Sequence, residues 1–186
     1  MQLITLDQFL ENQPFFIQEA KSGKTFIYPT DTIYGIGGIY TPEMVNKIFA
    51  IKQRDTKRMF SIIAPSFDWI SKEYPEANID ELKMYLNNYH GVTYLFDYDQ
   101  PRIRIIKHPF QTFIENLGET FITTSCNIAG EPPVADTKDI PAELSEKVDY
   151  IIDGGILDGR QSVLIDLVEN KIINKGTNEK SATKYL

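Results

Sequence analysis

Segments with strand spacing and segments with helix spacing follow one another along this chain without strict alternation. A regular strand–helix succession would give an all-parallel, doubly wound sheet, whereas adjacent strand segments need antiparallel neighbours. The expected fold class is therefore α/β, with a twisted, mixed parallel/antiparallel sheet and helices packed on it. The segments "KTFIYP", "FSIIAP", "VTYLFDY", "RIRII", "TFITTS", "VDYIID", "SVLIDLV" and "KIIN" read as strands. The segments "TLDQFLENQ", "TPEMVNKIFAIKQR", "SFDWISKEY", "NIDELKMYLNNY", "HPFQTFIENLG" and "KDIPAELSEK" read as helices. Thr5, Thr41, Ser66 and Asn78 are expected N-caps, Pro42 fits a first helical position and Gly118 fits a stop. No Pro/Gly/Ser-rich linker divides the chain, so residues 1–186 read as one domain.

Charge narrows the partners. The formal net charge is −7, whereas a protein that grips long nucleic acid by broad phosphate neutralisation is usually basic. A small anionic ligand in a locally basic pocket fits better. The lone Cys126 allows no internal disulfide, which fits a reducing compartment. The N-terminus lacks a basic region followed by an apolar run, and no stretch approaches the ~20 apolar residues of a membrane helix. A cytoplasmic protein with no membrane partner is expected.

Three segments could carry chemistry. In "FIYPTDTIYGIGG" (26–38), Pro29 closes a strand and Thr30, Asp31, Thr32 and Tyr34 follow it onto a loop, where α/β sheets commonly bind ligands. Gly35, Gly37 and Gly38 would permit positive φ and close approach to a ligand, although neither a Walker A loop nor a dinucleotide fingerprint is present. The same residues would also build a tight, self-capped turn. In "IKQR", Lys52 and Arg54 close a helix, where cations complement the helix dipole. With Lys57 and Arg58 they form a basic cluster, and an ammonium beside a guanidinium suits a phosphate plus a carboxylate. In "TTSCNIAGEPP", Ser125 and Asn127 are neutral donors suited to phosphate oxygens, or ordinary turn residues. Cys126 between them reads as a small buried hydrophobe. His90 and His108 have no metal-site spacing and read as loop and helix-cap residues, so no metal ligands are assigned. Asp153 and Asp166 are strand-end acids with no assigned role.

These segments, in this order, resemble the YrdC-like family of threonylcarbamoyl-AMP synthases. The resemblance rests on "YPTDTIYGIG" (28–37), "IKQR" (51–54) and "TSCNIAGEPP" (124–133), with "VDYIIDGG" (148–155) and "QSVLIDLVENKIINKG" (161–176) near the end. It implies a sheet whose strand ends line a concave, positive cavity, in a short, single-domain member of the family. It further implies a nucleotidyltransferase that joins L-threonine, bicarbonate (or CO2) and ATP, with Mg²⁺, into threonylcarbamoyl-adenylate and pyrophosphate. A partner transferase would then modify adenosine 37 of tRNA, and weak tRNA contact is implied.

By the same resemblance, Lys52 and Arg54 neutralise phosphate and orient carboxylates. Ser125 and Asn127 hold phosphate oxygens, Ser162 and Arg104 lie near the nucleotide, and Thr32 and Tyr34 shape the threonine end. The chain departs from the family pattern at Asp55, Met59, Phe60, Ile106, Val163 and Asn174, and "YHGVT" (89–93) keeps Thr93 of a "PGPxT" pattern. Val163 and Asn174 bear on nucleotide binding, and Asp55 sets a negative charge beside the implied phosphate site. The alternative reading is a diverged paralogue that binds RNA or a nucleotide without this activity. The polar tail after Gly176 is expected to be mobile.

Overall fold

A computed structural model describes residues 1–53, 60–128 and 130–174. Ten strands among them join into one sheet: β1 (Gln2–Thr5), β2 (Phe26–Tyr28), β3 (Gly35–Gly37), β4 (Ser61–Ile63), β5 (Val92–Leu95), β6 (Arg102–Arg104), β7 (Phe121–Ser125), β8 (Tyr150–Asp153), β9 (Val163–Asp166) and β10 (Lys171–Asn174). The order across the sheet is β1-β8-β2-β3-β7-β4-β6-β5-β9-β10. The pairs β1/β8, β2/β8, β4/β6 and β5/β9 are parallel and the other neighbours antiparallel, so the sheet is mixed, as the segment order required.

Seven α-helices among the described residues pack on this sheet: α1 (Leu6–Glu11), α2 (Gln13–Lys21), α3 (Pro42–Lys52), α4 (Phe67–Glu73), α5 (Ile79–Asn88), α6 (Phe110–Leu117) and α7 (Ala142–Ser145). Their ends follow from local chemistry. Thr5 and Gln8 form a reciprocal capping box at α1, with N–H···O distances of 3.2 and 3.0 Å. The Thr41 hydroxyl accepts from the Met44 N–H at α3, Ser66 caps α4 and Asn78 caps α5. Gly118, at φ 73°, ends α6 in the left-handed conformation that glycine adopts without a Cβ clash. Strand β1 and helix α2 carried no clear signal in the sequence. β1 buries Ile4 alone of its four residues, and α2 buries only Phe16 and Ala20.

Alternate residues of a strand face opposite sides of a sheet, and here the two faces meet different layers. On one face, Phe26 and Tyr28 of β2, Tyr150 and Ile152 of β8 and Phe121 of β7 pack under α1, α2 and α6. Tyr28 stacks on Phe110 of α6 with centroids 4.4 Å apart and planes 6° from parallel. On the opposite face, Ile27, Ile36, Ile122 and Ile151 pack on α3 and α7. Further along that face, Ile62, Val92, Tyr94, Ile103, Val163 and Ile165 pack on α4 and α5. The second face is covered along its length. Among the described residues, the first is covered over its β1-β8-β2 side and as far as Phe121 of β7 and Ile63 of β4. Among the described residues, no helix is long and apolar enough to cross a membrane.

Candidate functional site

The uncovered part of the first face is a cavity of about 420 Å³. Its walls are the strand residues that alternate with the α4/α5 core: Ser61 beside Ile62, Thr93 between Val92 and Tyr94, Arg102 and Arg104 around Ile103, and Ser162 and Leu164 around Val163. Thr123 and Ser125 of β7, Thr30, Thr32 and Tyr34 from the β2–β3 connection, and Gly35 of β3 also line it. Among the described residues, the lining holds two arginines, many hydroxyls and no carboxylate. In a chain of net charge −7, this is a local positive basin furnished with neutral donors.

Arg104 lies at its inner end and is only 7% exposed. A buried guanidinium needs a counter-ion, and Asp31 supplies it at 2.7 Å from Nη2. The same nitrogen stands 3.3 Å from Thr32 Oγ1, and the second Asp31 oxygen accepts from the Lys107 N–H. Arg104 Nε has no hydrogen-bond partner among the described residues. Gly91 is required here, because a Cβ there would stand 2.6 Å from Thr32 Cγ2 and 3.3 Å from an Asp31 oxygen. Ser162 shares a 2.8 Å hydrogen bond with Thr93, an arrangement that holds both hydroxyls at the wall.

At the β7 edge, the Lys52 ammonium, buried at the end of α3, donates to the carbonyl of Ser125. The Ser125 hydroxyl donates to Asn127 Oδ1, and Asn127 Nδ2 donates to the Glu131 carbonyl at 2.7 Å. Lys52, Ser125 and Asn127 are thus brought together. Ser125 lines the cavity, and the other two border it through Ser125. Arg54, with Asp55, Lys57, Arg58 and Met59, lies outside the described residues, as do the side chain of Asn174 and the tail after Gly176.

Tyr34 is among the residues that line the cavity. Its ring is fully buried in the α3/α7 layer, and its hydroxyl donates to the Gly155 carbonyl at 2.7 Å and accepts from the Gly154 N–H. Burial pushes this phenol up to about 12, against the opposing pull of the Gly154 N–H. Its backbone N–H and carbonyl bind Val134 and Cys126. Tyr34 therefore fastens three loops around the cavity, and its hydroxyl is committed to them.

The glycines act differently from the sequence expectation. None of Gly35, Gly37 and Gly38 has positive φ, and Gly35–Gly37 is strand β3. A Cβ on Gly37 would stand 1.8 Å from the Ile122 carbonyl oxygen, and one on Gly38 would stand 2.5 Å from Met44 Cε. These two glycines serve close packing within the protein. Val163 faces the α4/α5 core, so the departure from the family pattern at that position removes no hydroxyl from the cavity wall.

Cys126 is buried, and burial pushes its thiol up to about 12 despite the nearby Lys52, so it is a poor nucleophile. Burial lowers the pKa of His108, whose Nδ1 accepts from the Phe110 N–H at the start of α6. The sequence reading gave no role to Ser61, Thr123 or Arg102. Of their strands only "RIRI" carries a period-two pattern that signals the polar side.

The family model of Sua5, YciO and YrdC proteins, described as telomere recombination, matches residues 18–91 and 100–176. The chain belongs to the Sua5/YciO/YrdC family. Solved structures agree on the fold. Sua5 of P. abyssi complexed with L-threonine is 24% identical, with a TM-score of 0.73 over 86% of this chain and 52% of that one. E. coli YciO is 23% identical, with a TM-score of 0.73 over 90% of this chain and 92% of that one. Full-length HypF in its phosphate- and nucleotide-bound form is 15% identical, with a TM-score of 0.68 over 83% of this chain and 27% of that one. The chain spans about half the length of the Sua5 structures it matches, 52% in each case. In this Sua5/YciO/YrdC domain the mixed sheet with packed helices is the fold expected from the sequence.

Proposed function

We propose that the protein is an L-threonylcarbamoyladenylate synthase, a nucleotidyltransferase that uses L-threonine, bicarbonate or CO2, and MgATP and releases pyrophosphate. The observation that carries this reading is the cavity of about 420 Å³ itself: among the described residues it holds two arginines, a wall of hydroxyls and no carboxylate, with Lys52 bonded to Ser125 at its border. Such a site suits small anions of more than one kind. Family membership and the structural likeness to a Sua5 complexed with L-threonine support the choice of reaction.

The chemistry asks for position and charge rather than a protein nucleophile. The threonine amine adds to the carbon of CO2 and loses a proton, giving an N-carboxylate. One oxygen of that carboxylate attacks the α-phosphorus of ATP, the bond from that phosphorus to the bridging oxygen breaks, and pyrophosphate departs with its electron pair. Lys52 and Arg54 would neutralise phosphate and hold the carboxylates, with Ser125 and Asn127 donating to phosphate oxygens. The Ser125 hydroxyl, bonded to Asn127, needs only a rotation about its own torsion to reach a ligand instead. Arg104 and Ser162 would meet the nucleotide side, and Thr32 the threonine side. Mg²⁺ enters as part of the MgATP substrate. Among the described residues, no three His, Cys, Asp or Glu side chains gather to hold an ion of their own. The product would pass to a threonylcarbamoyl transferase acting on adenosine 37 of tRNA.

The test is pyrophosphate release from MgATP with and without threonine and bicarbonate, with threonylcarbamoyl-AMP sought by mass spectrometry. Release that needs both co-substrates, and falls in folded Lys52→Ala and Ser125→Ala, is the expected result. Folded protein that releases no pyrophosphate would sink the reading. Salt-sensitive RNA binding without turnover would then favour a binding paralogue.

A further inference from the structure

The two arginines of the cavity stand on one strand but in different electrostatic states. Arg104 is buried, and Asp31 compensates its charge. Arg102 is exposed at the same wall and has neither an ion pair nor a side-chain hydrogen bond among the described residues. That is unusual company for a cation in a chain carrying 26 acids against 19 Lys and Arg. The neighbours explain it. The Cα of Arg102 is in register with that of Ser61 on β4, and Ser61 is in register with Thr123 on β7. In-register neighbours point to the same side of a sheet, and all three residues line the cavity. Ser125 lies on the same side of β7 and carries the strip on to Lys52. The strip crosses two strand spacings, roughly 10 Å, and presents donors throughout.

From this arrangement we infer that Arg102, with Ser61 and Thr123, forms an anion subsite for the pyrophosphate end of the nucleotide, separate from the Arg104 end of the cavity. This deepens the proposed function and rests on it for the identity of the nucleotide. The two ends suit different anions. A compensated, buried arginine favours a singly charged group that can shed its water. A multiply charged polyphosphate is costly to desolvate and is better met at a solvent-open end by an arginine whose charge is not already neutralised. The hydroxyls of Ser61 and Thr123 donate to oxygens that the guanidinium fork does not reach.

The experiment is calorimetric titration of the full chain with inorganic pyrophosphate, inorganic phosphate and L-threonine, at low and high salt. Arg102 is exposed and makes no ion pair or side-chain hydrogen bond among the described residues, so Arg102→Gln is expected to fold with little change in thermal stability. Pyrophosphate affinity should fall about tenfold in Arg102→Gln, further in Arg102→Glu, and recover in part in Arg102→Lys. Its salt dependence should become shallower, and threonine affinity should stay the same. Equal pyrophosphate affinity in the wild type and Arg102→Gln overturns the subsite, as does absence of pyrophosphate binding to the wild type. Inorganic phosphate binding as tightly as pyrophosphate reduces the site to one for a lone phosphate and overturns its assignment to the nucleotide tail. Pyrophosphate binding that depends on Arg102, in a protein that makes no threonylcarbamoyl-AMP, would keep the subsite and discard the synthase reading.

Discussion

One face of the sheet has two regions built on the same strand geometry with opposite outcomes. Under α1, α2 and α6 the face-forming residues are Phe26, Tyr28, Phe121, Tyr150 and Ile152, and the ring of Phe9 lies within 6.5 Å of four other phenylalanine rings. Beyond those helices the equivalent positions are Ser61, Thr93, Arg102, Arg104 and Ser162, and among the described residues no helix covers them. The reverse face beneath them is as apolar as the rest, through Ile62, Val92, Ile103 and Val163. A region used for binding thus stays folded because one side of each strand is buried while the other is left wet. The cost of an open, polar wall is carried by the layer beneath it.

The strongest way to break this comparison is to disturb the joint between the regions. Gly37→Ala would drive a methyl group into the Ile122 carbonyl, 1.8 Å away, where β3 meets β7. The conflict is with backbone, so a loss of more than about 3 kcal/mol, or failure to fold, is expected in urea denaturation.

Next comes a contrast between the regions themselves. Phe110→Ala empties the covered side of a ring stacked on Tyr28 and Phe9, and should cost about 3–5 kcal/mol while the folded fraction still binds ligand. Ser125→Ala, on the open side, should change stability by less than about 1 kcal/mol and lower threonine-dependent pyrophosphate release by about tenfold or more. A reversal of these two results would mean that the wall is structural.

A finer test uses the strand alternation. Val163→Thr restores the hydroxyl that the family pattern carries, but in the α4/α5 core rather than in the cavity. A stability loss of about 1–2 kcal/mol with unchanged turnover is expected. A gain in turnover would show that residue 163 reaches the site.

The smallest effect concerns Asp149, which joins the start of β2 to the start of β8. Burial would raise its pKa, but the Thr25 N–H and hydroxyl with the Lys47 and Lys24 ammonium groups outweigh burial and hold it at about 2. A carboxylate with a depressed folded pKa contributes stability above its unfolded value, and that contribution is lost as pH falls through the folded value. Asp149→Asn should therefore cost on the order of 1 kcal/mol near neutral pH after solvent screening. The difference between variant and wild type should shrink between about pH 4 and pH 2, as followed by thermal melts.

Much of this was legible in the chain. The caps at Thr5, Thr41, Ser66 and Asn78, and the stop at Gly118, stand where side-chain chemistry alone placed them, because each hydrogen bond spans only a few residues. Arginines alternating with isoleucine in "RIRI" encode a wet face backed by a dry one. Tyr34 shows where such reading stops. It lines the cavity from the loop ahead of β3, yet its ring packs into the α3/α7 layer and its hydroxyl is bonded to Gly154 and Gly155. The glycines show the same limit, since a residue without a side chain serves a ligand and a neighbouring strand equally well until that neighbour is known.

The sequence by itself determined most of the elements, though not β1, β3 or α2, and the caps of four helices, because these depend on torsions and hydrogen bonds between residues close in the chain. Only the tertiary structure decided which strands stand side by side. That order sets Asp31 against Arg104, which is 73 residues away, and runs Arg102, Ser61 and Thr123 across three adjacent strands. Ion pairs and hydrogen bonds act over a few ångströms, so a site assembled from distant segments exists only once the packing of the whole sheet has brought them together.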